Sequence, residues 1–304
     1  MAHSRWPLLG LVLGALCIGL APIFVRLTEV GPTAAAFWRL ALACPLLLLA
    51  WSQRPERPAW SLLWPGLLFA GDLAVWHQSI HITTVANATL LANLQPAIVA
   101  AISVLFLGVR LTRGFVLGLG LAMSGAVILM ADSLSVSMDQ LSGDLLGVLT
   151  ACFYAGYILT VAAARRGHHV VSVMAAATLV GATVLAPIAW ASGETFWPVS
   201  ARDWLILAGL AGVSHILGQG LIAWSLRHLT TQFSSVSLLI QPVAAAGFAW
   251  LLLAEPFGPW QAAGGAVTGC ERFTLRPCQG QPKADTFAIP DAADARLRPG
   301  GFLV

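Results

Sequence analysis

Charged residues are scarce in this sequence. Only 10% of its 304 residues are Asp, Glu, Lys or Arg, whereas soluble domains average roughly 25%, and Lys283 is the only lysine. Hydrophobic residues make up 58% of the chain, and the mean hydropathy is +0.81. A chain of this composition would not dissolve as a globule. The formal net charge of +3 is too small and too dispersed to indicate a nucleic-acid partner.

Motifs for covalent chemistry and for metal binding are also missing. The five cysteines have no CxxC or Cys/His ligand spacing, so we expect neither a metal site nor a disulfide framework. HExxH, GxSxG and phosphate-loop patterns do not occur, and neither Ser103 nor Ser237 has an obvious base nearby. The sequence therefore predicts no catalytic residue, no cofactor and no transport driven directly by ATP.

Long apolar runs are abundant. Each is about 20 residues long, enough to cross ~30 Å of hydrocarbon as a helix, and unbroken runs of this kind exclude a β-barrel. The sequence therefore predicts an all-α integral membrane protein, a bundle of about ten transmembrane helices. Nine predicted spans are 7–26, 33–51, 61–80, 84–107, 112–131, 142–164, 171–191, 203–225 and 231–253, and a tenth begins near Phe257.

The arginines indicate the orientation. If the N-terminus is cytoplasmic, the inner loops hold Arg5, Arg54, Arg57, Arg110, Arg113, Arg165, Arg166 and Arg227. The outer loops then hold only Arg26 and Arg202, with Asp132, Asp139 and Asp144 between the fifth and sixth spans. This asymmetry is what the positive-inside rule requires. We therefore expect a multi-pass protein of the cell inner membrane with a cytoplasmic N-terminus.

The two halves of the chain contain an internal repeat. Ser79–Thr84 resembles Ser225–Thr230, and Leu94–Pro96 resembles Ile240–Pro242, both displaced by 146 residues. Five spans per repeat is an odd number, so the second repeat enters the membrane in the opposite direction. Inverted repeats of this kind are a transporter architecture, with the substrate site near the midplane. The predicted repeats are 7–131 and 142–269.

The end of the second repeat departs from this pattern. Phe257–Gly269 stays apolar and Gly-rich, but 13 residues at 1.5 Å each reach only about 20 Å. We therefore expect an incomplete tenth helix. From Cys270 the chain turns polar and rich in proline and glycine, so residues 270–304 are predicted to be a disordered tail. A shifted reading frame and a natural cytoplasmic tail are the two explanations.

The run from Trp76 to Pro96 resembles the signature of the third and fourth helices in EamA-type transporters of the drug/metabolite transporter superfamily. Gly14–Arg26, Phe37–Ala41 and Gln241-Pro242 also match, and the resemblance covers about residues 7–269. It implies a ten-helix inner-membrane carrier or exporter of amino acids, metabolites or drugs. The family often has Gly-Glu where this chain has Gly108–Arg110.

Charged and aromatic residues inside the spans are candidates for a transport site. Asp72 lies within the third span, where an acid is costly unless it is paired or hydrated. It would couple protons or bind a substrate amine, or it would form a buried ion pair with Arg39. Trp76 shares the helical face of Asp72, and Trp38 adds a second aromatic ring. Both tryptophans could instead belong to the interfacial belt.

Amides near two prolines complete the candidate site. Pro96 and Pro242 break corresponding spans, and paired breaks point to a transport site, although amides also join helices in membranes. Asn93 and Gln95 are two residues apart and cannot share a face. The predicted substrate-binding residues are Trp38, Arg39, Asp72, Trp76, Asn93, Gln95, His215, Gln219 and Gln241. Tyr154 and Tyr157 share a face and could line the same path.

These observations favour a secondary transporter or exporter of a small metabolite. The partners expected are a small-molecule substrate and the lipid bilayer, without nucleic acid, and the protein is expected to be a monomer or a homodimer. A truncated, inactive product of a transporter gene and an intramembrane enzyme are the alternatives. The enzyme would require a nucleophile and a base at helical spacing, and the sequence contains no such pair.

Overall fold

The computed structural model describes residues 6–53, 56, 59–83, 85–130 and 138–253, together with 259, 263, 264 and 266. Every regular element in these residues is helical, so the predicted all-α class is confirmed. Most of the predicted tenth span, the tail 270–304 and the arginines at positions 5, 54 and 57 lie outside the described residues.

Thirteen α-helices follow one another in the part of the chain that the structure describes. The first seven are α1 (Trp6–Gly19), α2 (Ala21–Leu27), α3 (Pro32–Ser52), α4 (Leu63–Ile82), α5 (Val85–Ala92), α6 (Gln95–Leu105) and α7 (Arg113–Met130). The other six are α8 (Leu141–Gly167), α9 (Val170–Ala191), α10 (Ala201–Gly209), α11 (Gly220–Ser225), α12 (Thr231–Ser237) and α13 (Ile240–Leu253). A π-helical segment, Leu210–Gln219, joins α10 to α11.

Seven stretches among the described residues are long and apolar enough to cross a membrane. They are Trp6–Leu27, Pro32–Ser52, Ala88–Leu105, Leu141–Gly167, Val170–Ala191, Ala201–Ser225 and Thr231–Leu253. Helix α4 and helix α7, whose apolar part is Arg113–Ile128, lie at the predicted third and fifth spans. The count of ten spans stays a prediction.

Two spans are broken at corresponding prolines. Helix α5 ends at Ala92 and α6 restarts at Gln95 with Pro96 in its first turn. In the same way α12 ends at Ser237, and α13 restarts at Ile240 just before Pro242. Proline has no N–H to donate, so it fits the first turn of a helix and not its interior.

Helices of the two halves pack against each other in pairs. Helix α4 packs on α8, and α1 packs on the π segment and α11. The two helices of each pair run antiparallel. A Cβ added at Gly10 would lie 2.8 Å from the Trp224 ring, and one at Gly14 would lie 2.8 Å from the Gly218 carbonyl oxygen. Small residues four apart allow helices to approach this closely in membranes.

The same spacing recurs in the second half. A Cβ at Gly143 would lie 2.7 Å from the Thr83 backbone nitrogen, and one at Gly147 would lie 2.9 Å from the Leu91 side chain. Helix α8 therefore packs on the C-terminal ends of α4 and α5, as α1 packs on the π segment and α11. The pairs α1 with α11 and α8 with α4 are what two inverted repeats require.

Helices α3 and α9 form a third pair, held at both ends by a carboxylate. Glu194, just after α9, accepts hydrogen bonds from the Thr33 backbone nitrogen at 2.9 Å and the Thr33 hydroxyl at 3.0 Å, at the start of α3. Glu56, after α3, accepts from the His169 backbone nitrogen at 3.0 Å, at the start of α9. We call the two ends of the bundle the Glu194 face and the Glu56 face.

The sequence predicts that the Glu56 face is cytoplasmic. Helices α3, α5, α8 and α10 begin at the Glu194 face, whereas α4, α7, α9 and α12 begin at the Glu56 face. Two further hydrogen bonds join helices at the rim of the Glu194 face: the Thr83 hydroxyl donates to Asp144 at 2.6 Å, and the Glu29 backbone nitrogen donates to Asp203 at 3.0 Å.

Candidate functional site

A cavity of about 180 Å³ lies between the two halves of the bundle. The lining residues that belong to α1–α2, α3, α5 and α8 lie on the side of the bundle's middle that is nearer the Glu194 face. The lining comprises Ile18, Gly19, Ala21, Pro22, Val25, Ala36, Arg39, Phe69, Asp72, Leu73, Trp76, Thr89, Ala92, Asn93, Thr150, Tyr154, Leu210, Gln219, Gln241, Pro242 and Ala245.

Arg39 supplies the positive charge of the cavity. Its side chain is only 7% exposed, and its guanidinium carbon lies 5.6 Å from the centre of the Phe69 ring, a cation–π geometry. One Nη2 hydrogen bond, 3.5 Å long, goes to the Ser214 carbonyl oxygen in the π segment. The Nε atom is buried without a partner among the described residues, so this part of the chain does not use all the donors of the guanidinium.

Asp72 supplies the negative charge. It lies on α4, one turn from Phe69, and it lines the cavity with Arg39. Within the described part of the chain, no ion pair or hydrogen bond joins Asp72 to Arg39. The buried ion pair that the sequence offered as the structural role of Asp72 is therefore not formed. Both charges instead face the space between the repeats.

The only two tyrosines of the chain join two glutamines at the cavity wall. The Tyr157 hydroxyl donates to Gln219 Oε1 at 3.2 Å, and Gln241 Nε2 donates to the Tyr154 hydroxyl at 3.4 Å. The two tyrosine rings stack at 6.0 Å, and Phe69 stacks on Tyr157 at 4.7 Å. These contacts fix the orientation of both amides at the cavity wall.

Six of the nine residues predicted from the sequence line this cavity: Arg39, Asp72, Trp76, Asn93, Gln219 and Gln241. Trp38 does not. Its indole nitrogen donates to the Phe196 carbonyl oxygen at 2.7 Å, and its ring packs against Phe37, Trp197 and Trp204. Trp38 therefore belongs to an aromatic cluster near the Glu194 face.

Gln95 and His215 are buried beside the cavity but do not line it. His215 is 1% exposed, its Nε2 lies 2.8 Å from the Thr178 hydroxyl, and its ring stacks on Phe69 at 5.7 Å. Gln95 is 2% exposed, and its Nε2 has no partner among the described residues. The His215 ring packs against the Phe69 ring. The Gln95 Nε2 donor makes no hydrogen bond within the described residues.

Several lining residues gave no signal in the sequence. Ile18 and Leu210 are ordinary apolar residues in apolar spans, and only the packing of the helices places them at the cavity. Phe69 does have a positional signal, because the displacement of 146 residues pairs it with His215. The structure stacks these two corresponding rings on each other. Comparing polar and aromatic positions 146 residues apart thus helps to find residues at the cavity.

An apolar helical bundle of inverted halves, with two opposite charges facing an interior cavity, is the architecture of a membrane transporter. The model of the EamA-like transporter family matches the chain twice, over residues 5–131 and 141–270. The chain belongs to this family and is a multi-pass membrane protein. The resemblance seen in Trp76–Pro96 is thereby confirmed.

Individual relatives are more distant. The chain is 27% identical over 206 residues to the pseudopaline exporter CntI of Pseudomonas aeruginosa, covering 68% of this chain and 71% of that protein. An uncharacterized transporter of Archaeoglobus fulgidus is 24% identical over 257 residues, covering 84% of this chain and 91% of the relative. A solved crystal structure at 17% identity covers 90% of this chain and 98% of its own, with a TM-score of 0.77, which establishes the fold.

Proposed function

We propose that this protein is a secondary exporter of a small metabolite that carries both a cationic and an anionic or strongly hydrogen-bonding group, across a bacterial inner membrane. The observation that carries the proposal is that Arg39 and Asp72 both line the cavity and, among the described residues, make no direct bond to each other. Ionisable groups at membrane depth are costly, so two opposite charges that share a cavity without a direct bond favour a solute that contacts both.

The rest of the cavity supports a solute that is partly apolar. Trp76, Phe69 and Leu73 supply apolar surface, and the amides of Asn93, Gln219 and Gln241 supply donors and acceptors. A pocket of this mixture orients a ligand through a few polar contacts and binds it through apolar area. Asn93 Nδ2 is buried without a partner among the described residues, which leaves it available to the solute.

Two considerations favour export. One relative carries the name of an exporter, and the predicted orientation places the Glu194 face, nearer to the cavity, on the periplasmic side. The chain has no ATP-binding motif, so a solute or ion gradient supplies the free energy. Inverted repeats provide the route, because the two halves can rock about the central site and expose it to each face in turn.

An efflux screen tests the proposal. Cells expressing the chain are loaded with labelled amino acids, amino-acid derivatives and other small metabolites, and efflux is compared with cells expressing Asp72→Asn. The matched control is Glu29→Gln, which removes an exposed acid outside the cavity. We expect faster efflux of at least one zwitterionic solute with the wild type and with Glu29→Gln only. Equal efflux from all strains across the panel would refute the proposal.

A further inference from the structure

The Arg39 guanidinium is held in the cavity by two contacts. One is a hydrogen bond of 3.5 Å from its Nη2 to the Ser214 carbonyl oxygen, and the other is the Phe69 ring, whose centre lies 5.6 Å from the guanidinium carbon. The hydrogen bond is longer than an ordinary N–H···O bond, and an arginine side chain has many rotamers to lose when it is held in one place. The position of the guanidinium therefore depends on the position of the Phe69 ring.

Two rings pack on Phe69, and a hydrogen bond fixes each of them. The Tyr157 ring stacks on Phe69 at 4.7 Å, and its hydroxyl donates to Gln219 Oε1 at 3.2 Å. The His215 ring stacks on Phe69 at 5.7 Å with an angle of 20° between the planes, and its Nε2 lies 2.8 Å from Thr178 Oγ1. Phe69 itself is 2% exposed. A series of buried contacts thus runs from Thr178 through His215 to Phe69.

The internal repeat places this stack at the centre of the molecule. Phe69 and His215 are 146 residues apart, so they occupy equivalent positions in the two repeats. Two equivalent residues that touch each other lie close to the axis that relates the repeats, where an inverted-repeat transporter has its solute site. The same displacement leads from Arg39 to Leu185, so the second repeat has no charge at the equivalent position. The Arg39 charge is therefore held against a stack of rings close to this axis.

The π segment carries supports for both contacts of Arg39. Ser214 supplies the carbonyl oxygen, and the next residue, His215, supplies a ring that packs on Phe69. The Ser214 hydroxyl donates to the Cys17 carbonyl oxygen at 2.9 Å, which ties the segment to α1. π-Helical turns are rare and are frequent at functional sites. Neither Ser214 nor His215 is among the described residues that line the cavity, so neither is placed to touch a solute there.

We infer that His215 is a positioning residue of the solute site, and that it sets the affinity for the anionic group of the solute by acting on Arg39. Its ring, anchored by Thr178, holds Phe69 in the orientation that supports the guanidinium. The inference rests on the proposed transport function and assigns part of its selectivity to residues that do not touch the solute. Without the ring, Phe69 can tilt and the guanidinium can adopt other rotamers. Contacts of the solute with Asp72 are not part of this series and are kept.

Counterflow in proteoliposomes measures this effect, with the zwitterionic solute found in the efflux screen as the probe. For His215→Ala we expect the solute concentration at half-maximal exchange to rise at least about fivefold, as for loss of a cation–π support, while the maximal rate stays within a factor of two. Inhibition by the primary amide of the same solute, which lacks the anionic group, should change by less than a factor of two. A defect of folding alone would lower the maximal rate and leave both affinities unchanged.

Three further variants separate the ring, its anchor and the general packing. His215→Phe restores a flat ring, and we expect it to return the half-maximal concentration to within a factor of two of the wild type. Thr178→Val removes the anchoring hydroxyl at nearly constant volume, and we expect a rise of about threefold. Leu207→Ala is the matched control, because Leu207 is 0% exposed in a buried cluster that does not contain Phe69. Its truncation should lower the thermal stability and leave both affinities unchanged.

The outcomes distinguish this inference from the proposed function. Wild-type protein that exchanges no zwitterionic solute would refute both. With exchange present, unchanged affinity for the zwitterion in His215→Ala would overturn the inference and leave the transport function standing, as would an equal loss of affinity in Leu207→Ala. A loss that His215→Phe does not restore would contradict the role of the ring. If His215→Ala does not insert into the membrane, Thr178→Val decides, and unchanged affinity in that variant would overturn the inference.

Discussion

At the scale of single residues, the protein places two opposite charges in a cavity and leaves each of them available. Arg39 is held over Phe69 and by one long hydrogen bond to the backbone, so most of its donors are not used by the protein. Asp72 makes no bond to Arg39 in the part of the chain that the structure describes. We therefore expect Asp72 to act on a solute and not as a structural partner of Arg39, a choice that the sequence left open.

The variant Asp72→Asn tests that separation. Because no ion pair is broken, we expect the thermal unfolding midpoint in detergent to change by no more than about 2 °C, an effect of a fraction of 1 kcal/mol. Transport should fall at least tenfold, since the amide offers no negative charge to a cationic solute group. A large loss of thermal stability would mean that Asp72 is a structural partner, and retained transport would mean that it is neither.

At the scale of helices, the carboxylates Glu56 and Glu194 act alike at opposite faces. Each follows one helix of the α3–α9 pair and accepts hydrogen bonds from the first backbone N–H groups of the other helix. Those N–H groups have no partner within their own helix, and the helix dipole favours a negative charge beside them. The two helices are therefore held together at both ends.

The Glu56 cap predicts a pH dependence of stability. Burial raises the pKa of Glu56, but hydrogen bonds from the His169 backbone and from His168 outweigh it, so the pKa lies below its usual value. A carboxyl group with a lowered pKa stabilises the fold above about pH 4.3, the unperturbed value, and loses this effect as the pH falls through its own pKa.

We therefore expect Glu56→Gln to lower the stability at pH 7 by about 1 kcal/mol, as for loss of a helix cap. The difference from the wild type should shrink as the pH falls below about 4. Thermal unfolding in detergent at several pH values measures both effects, with the exposed Glu29→Gln as the control. A difference that stays constant from pH 7 to pH 3 would show that ionised Glu56 does not stabilise the cap.

At the scale of the whole molecule, the sequence predicted the apolar helices, the paired breaks at Pro96 and Pro242, and the family. These features depend on local composition and on the displacement of 146 residues. The sequence did not predict the π segment Leu210–Gln219 or the packing of α6 against α12, because both depend on how the repeats pack. Trp38 was predicted to line the site because it is an aromatic residue next to Arg39, but the packing of the helices places its ring in the aromatic cluster instead.

The orientation in the membrane is a further prediction at this scale. Val199, 74% exposed, lies toward the Glu194 face, and Gln53 is exposed toward the Glu56 face. In a variant without native cysteines, we expect an impermeant thiol reagent added outside spheroplasts to label Val199→Cys and to spare Gln53→Cys until the cells are lysed. The reverse labelling pattern would contradict the orientation assigned from the positive-inside rule and would reverse the proposed direction of transport.

The central claim is that the solute moves through the cavity of Arg39 and Asp72. Counterflow in proteoliposomes tests it most directly, because exchange of labelled solute for unlabelled solute needs no ion gradient. With the solute found in the efflux screen, we predict transient accumulation of label by the wild type and by Glu29→Gln, and none by Asp72→Asn or Arg39→Gln. Exchange by both cavity variants at the wild-type rate, with all four proteins folded and inserted, would contradict the account.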